Sequence, residues 1–259
     1  MTTFSQSGIL SLVSLLGLLL GCDLQPVAFT RRADKATASG RNGEAFEGRL
    51  SAIKALLSSK EATNQVRGIN SIERLAYDNK SRLQSEPEII AQLETFCKSA
   101  SNDVVVNALA ALSTIESPRS LPVFKAGLAS SDKWQHLFGA RGVIAIPSSG
   151  KGNLETAVDK LVSIILDSRE PNAEDERLVP DAIHFLEDLD EVAKLGFPHF
   201  ADSIPEEIKA QRIGPKEWKT RPDIIAMRKK YRESVRKWWT EKRPEIISRI
   251  LSANTDVRK

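Results

Sequence analysis

Blocks of apolar residues three and four positions apart, recurring every 34–40 residues, constrain this chain more than any other feature. Leu50, Ile53, Leu56 and Leu57 form the first block from Phe46 onward, and Val66, Ile69, Ile72, Leu75 and Ala76 the second. Spacings of three and four put side chains on one face of an α-helix, so each block predicts a helix with one buried side. A polar stretch from Asp78 to Gln84 reads as the link to the next helix, which Glu86-Pro87 opens and whose inward face holds Ile89, Ile90, Leu93, Phe96 and Cys97. Asp103 is expected to cap a helix with Val105, Ala108, Leu109, Leu112 and Ile115 inward, and Ser117-Pro118 starts its partner with Leu121, Phe124 and Leu128 inward.

Superposing the blocks gives a repeat. Ile69, Ile72 and Leu75 fall on Leu109, Leu112 and Ile115 after a step of 40; Leu109 and Leu112 on Val143 and Ile146 after 34; Val143 and Ile146 on Ile183 and Leu186 after 40. Helix pairs at such a period predict an all-α chain built as an α-solenoid, here of about four helix pairs with a basic C-terminal cap helix. Aromatic residues make up 6% of the chain. A core of Leu, Ile, Val and Ala follows, which suits close helix packing better than a β-sandwich.

Two stretches resemble HEAT repeats. Asp103 to Leu128 (DVVVNALAALSTIESPRSLPVFKAGL) has Asp at the turn, small and apolar residues on the first helix, Pro in the link and a Leu-containing second helix. Gln65 to Ala76 (QVRGINSIERLA) carries the Val66-Arg67 pair found early in many such repeats. The resemblance spans about residues 46–200 and implies an armadillo-like helical architecture, not an activity.

The N-terminus reads as an address. Ile9 to Leu20 is apolar apart from Ser11, Ser14 and Gly17; at about 18 Å as a helix it falls short of the ~30 Å bilayer core. That length fits the apolar region of a signal peptide. The following Leu19-Leu20-Gly21-Cys22 resembles the lipobox of bacterial lipoproteins, and the resemblance implies cleavage before Cys22 and acylation of its thiol. The expected organisation is a signal peptide over 1–21, a lipidated tether over 22–45, HEAT-like repeats over 46–203 and a basic helical cap over 204–259. The expected location is the exported face of a bacterial membrane, periplasmic or extracellular. With Cys22 acylated, Cys97 is the one remaining thiol and is expected as a small core residue.

Candidate chemistry is sparse. Ser148-Ser149-Gly150-Lys151-Gly152 lacks the glycine spacing and the Ser or Thr after Lys of a phosphate loop, and reads as an inter-helix turn. His136, His184 and His199 have no His or Cys at the spacing that puts two metal ligands on one helical face. Glu187, Asp188, Asp190 and Glu191 lack the glycine and alternation of a Ca²⁺ loop and read as a solvated helix end. The sequence therefore points to no catalytic residue, cofactor or metal.

Charge is divided unevenly. Glu206 to Lys259 holds 16 Lys and Arg against 8 Asp and Glu, whereas the rest holds 21 against 26. Within this tail Ile224, Met227, Tyr231, Val235 and Trp238 make one apolar helix face, while Arg228, Lys229, Arg232 and Arg236 crowd another. Such a helix is either a cap, packing its aromatic face on the last repeat, or a binder of anionic membrane surfaces through those four cations. The leading functional expectation is a non-catalytic, membrane-tethered scaffold with a protein partner on its solenoid surface, no nucleic acid and no small-molecule substrate. The alternative is an enzyme or enzyme-assembly factor similar to the HEAT-like chromophore lyases.

Overall fold

A computed structural model describes residues 39–167, 175–211, 213 and 220–256, with side chains at 46–167, 177–211, 213 and 220–254. Among the described residues the regular structure is helical throughout, with no strand. The elements are α1 (Ser39–Leu57), α2 (Ala62–Gln84), α3 (Pro87–Phe96), α4 (Asn102–Ile115), α5 (Leu121–Ala129), α6 (Lys133–Ala145), α7 (Lys151–Asp167), α8 (Asp175–Ala193), α9 (Glu206–Lys209) and α10 (Pro222–Asp256). The chain divides into two compact units, one comprising described residues 162–246 and the other 39–161 with 247–256.

In the larger unit, α4 packs along α2, α3 and α6, and α1 packs along α2. The reason lies in α4 itself: Val104, Val105 and every residue from Ala108 to Ile115 are buried. Its last two turns are buried all round, with the Ser113 and Thr114 hydroxyls satisfied by donating back to the Ala110 carbonyl, and such a segment needs neighbours on every side. Its first turn differs from expectation. Ser101 occupies the N-cap position and Asp103 lies inside the first turn, where its charge favours the positive end of the helix dipole. The stretch Asp78–Gln84, expected as a link, is instead helical, with a kink at Asn79 (φ −134°, ψ 32°). Leu83 is fully buried, and Gln84 Nε2 donates to the Ile115 carbonyl at 2.8 Å. One apolar anchor and one capping contact keep the polar segment helical.

The α5–α6 seam depends on small residues. Gly139 brings α6 so near α5 that a Cβ there would stand 2.8 Å from the Phe124 carbonyl oxygen. Gly142 lies against the Phe124 ring. Asp132 caps α6 by accepting from the Gln135 amide at 2.9 Å. The glycine-rich stretch after Pro147 is a turn, with Gly150 at φ 83° ahead of α7.

In the smaller unit a strap from Lys194 to Phe200 joins α8 to the 3₁₀ turn Phe200–Ser203. Phe197 meets Trp238 edge-on with centroids 5.0 Å apart, and Phe200 meets Tyr231 in the same way at 5.0 Å. The Trp238 indole donates to the Leu195 carbonyl at 3.1 Å, which satisfies both polar groups inside the core. Ile224, Met227, Tyr231, Val235 and Trp238 are all buried, so the aromatic face of α10 forms part of this core.

Candidate functional site

Burial of that apolar face sets the outward face of α10. The four cations singled out from the sequence then separate into two kinds. Arg228 and Arg232 flank the buried face and are half-buried, whereas Lys229 and Arg236 are exposed. Burial, and then the neighbouring Arg232, lower the proton affinity of the Arg228 guanidinium. Arg228 and Arg232 both have interactions of their own and are not free cations. Lys230 and Lys237, which the sequence reading did not single out, are exposed. The signal for them was present: at 100° per residue they lie about 105–130° round the helix from the centre of the Tyr231, Val235 and Trp238 positions, beside the row made by Lys229 and Arg236. The exposed cationic face is therefore Lys229, Lys230, Arg236 and Lys237. Cys22 lies outside the described residues.

A second feature is a groove in the larger unit, about 350 Å³ in volume, whose apolar lining includes Val105, Leu109, Val123 and Ala126. At its rim, Glu94 pairs with Arg119 at 3.3 Å and accepts from the Ser120 hydroxyl at 2.8 Å. The rim carboxylate is thus balanced by its own neighbours. Cys97 also lines the groove. It is half-buried at the C-cap of α3 rather than inside a helical face. Burial, reinforced by the Glu94 carboxylate, pushes the thiol pKa up to about 12. A cysteine nucleophile needs the opposite shift, because the thiolate is the reactive form.

The expected solvated acidic helix end is a clamp. Glu187 accepts from the Phe200 amide at 3.3 Å and Asp190 from the Phe197 amide at 3.2 Å. His199 sits between them, Nε2 3.2 Å from Asp190 Oδ2 and Nδ1 3.6 Å from Glu187 Oε1. Burial raises the Glu187 pKa, and the Phe200 amide and His199 partly offset that rise. The acidic pair holds the strap against α8. Sequence reasoning missed this because the backbone donors lie seven to thirteen residues away and carry no side-chain signature.

The other histidines are isolated from such clusters. His184 faces Asp188 across one exposed turn at 3.7 Å. His136 contacts the Ser130 carbonyl and lies 3.3 Å from Lys160 Nζ; burial is the main reason its pKa is lowered. Among the described residues no group of three or more His, Cys, Asp or Glu could hold a metal ion, and no helix is long and apolar enough to cross a membrane. No family model matches the chain, and neither a curated protein nor a solved structure does.

Proposed function

We propose that this chain is a membrane-tethered interaction scaffold: Cys22 carries the lipid, HEAT-like helix pairs over 46–203 form the body, and a protein partner docks on the helical surface. The observation that carries the reading is the groove beside Cys97. Much of its lining is apolar, its one carboxylate is paired with Arg119, and its one thiol is held protonated. About 350 Å³ admits one or two apolar side chains of a partner. A body of stacked helix pairs is further supported by the packing of α2 and α6 along α4, whose buried positions recur at the 40- and 34-residue steps of the sequence.

The test is crosslinking in native membranes. Val123→Arg and Ala126→Arg place charge in the groove at positions that are half-buried and exposed, so neither should unfold the chain. Both should abolish crosslinking to the same protein that the unaltered chain captures. Unaltered capture in both variants would remove the groove from the account.

A further inference from the structure

We propose that the outward face of α10 made by Lys229, Lys230, Arg236 and Lys237 is an electrostatic docking surface for an anionic lipid bilayer. The proposal deepens the membrane-tether reading by giving the tethered body a defined side toward the membrane.

Three observations carry it. The four cations fall within nine residues, about 12 Å of helix, and all are exposed. Lys229 and Arg236 are seven residues apart and nearly in line, as are Lys230 and Lys237, so the cations form two adjacent rows. Glu233 sits between the rows and Glu241 one turn beyond Lys237, which leaves the face cationic overall. Secondly, none of the four makes an ion pair with a described residue, so their charge is not spent within the fold.

Thirdly, the rings of this helix are inside. Tyr231, Trp238 and Trp239 are buried, and Arg243 lies over the Trp239 ring with its guanidinium carbon 5.1 Å from the centroid. The face therefore offers charge without an aromatic wedge. Single-stranded nucleic acid would want exposed rings on which bases stack. An isolated phosphate or carboxylate would want a fork-shaped arginine site. A convex helix surface bearing three lysines and one arginine on long stems suits a diffuse sheet of negative headgroups.

The experiment uses the full chain carrying Cys22→Ser, so that acylation plays no part in the readout. Co-sedimentation is measured with vesicles of pure phosphatidylcholine and of equimolar phosphatidylcholine and phosphatidylglycerol; the neutral vesicles give the baseline from the apolar N-terminal segment. Each cation near an anionic surface is worth about fivefold in binding. With two of the four engaged, the unaltered face should favour the anionic vesicles by about 25-fold, and rising salt should erase the preference. Lys229→Gln, Lys230→Gln, Arg236→Gln and Lys237→Gln together should abolish it, whereas the charge-preserving Lys229→Arg, Lys230→Arg and Lys237→Arg should keep it. The pair Lys229→Gln and Lys230→Gln alone should lose an intermediate share, which keeps the test informative if the quadruple variant folds poorly.

An anionic preference that survives the quadruple change would overturn the proposal. So would binding to RNA or heparin through these residues without any vesicle preference. Because Cys22 is absent from the test protein, neither result bears on the anchor. Failure of the anchor would likewise leave the vesicle result standing.

Discussion

Replacing Gly142 by Ala adds one methyl group to the most crowded place in the α5–α6 seam. The new Cβ would lie 2.3, 2.4 and 2.5 Å from Cδ1, Cγ and Cε1 of Phe124. Carbon atoms pack best at about 3.5–4.0 Å, so relief needs a displacement of about 1 Å or more. The Phe124 ring is fully buried, so it cannot make room by swinging into solvent. Overpacking of this kind costs about 1–3 kcal/mol, and the size of the overlap argues for the upper end. Alanine recovers about 1 kcal/mol of helix propensity over glycine, which leaves a net loss of about 2 kcal/mol. With a urea slope of about 2 kcal/mol/M, the midpoint followed by far-ultraviolet circular dichroism should fall by about 1 M. Gly152→Ala is the internal control: its Cβ meets nothing within 4 Å, so the same chemical change should leave stability unchanged or raise it by up to about 1 kcal/mol. Combining Phe124→Leu with Gly142→Ala should cost less than the two single changes added together, because the smaller side chain gives the methyl room. A Gly142→Ala protein as stable as the unaltered chain would refute the seam as described.

Leu112 is fully buried in α4, and Leu112→Ala should cost about 2–5 kcal/mol in the same urea assay. Trp238→Phe should destabilise the smaller unit by about 1–3 kcal/mol, because it leaves the Leu195 carbonyl without its indole donor; tryptophan fluorescence and urea unfolding together would check this. Because burial raises the Glu187 pKa in the folded state, its contribution to stability is full below the unfolded carboxylate value of about 4.3 and is lost as pH rises through the folded value. Glu187→Gln keeps an oxygen for the Phe200 amide and should flatten the stability profile in that acidic window; an unchanged profile would assign the pH dependence elsewhere. In a Cys22→Ser protein, Cys97 should react with a thiol reagent at pH 8 far more slowly when folded than in denaturant.

Helix positions were legible because burial follows the 3–4 spacing that any one helix displays. Ile69, Ile72 and Leu75 are inward, as are Leu109, Leu112 and Ile115, and the aromatic face of the basic tail is inward too. What local pattern could not reveal depends on distant partners. Asp78–Gln84 looks like a link until Leu83 finds a core and Gln84 finds the Ile115 carbonyl. Glu187 and Asp190 look solvated until the strap returns its backbone donors to them. Gly139 and Gly142 look like weak points in a helix, yet each permits a close approach that a side chain would block. The candidate surface on α10 was half legible: the charge was visible in composition, but its division into half-buried and exposed cations required the fold to commit Tyr231, Val235 and Trp238 inward.

The mass of the mature N-terminal peptide tests the proposed tether most directly. Protein recovered from the membrane fraction of a bacterial host should begin at Cys22, with that residue heavier by a thioether-linked diacylglycerol. A mature chain that begins elsewhere, or one that carries Cys22 as a free thiol, would contradict the account.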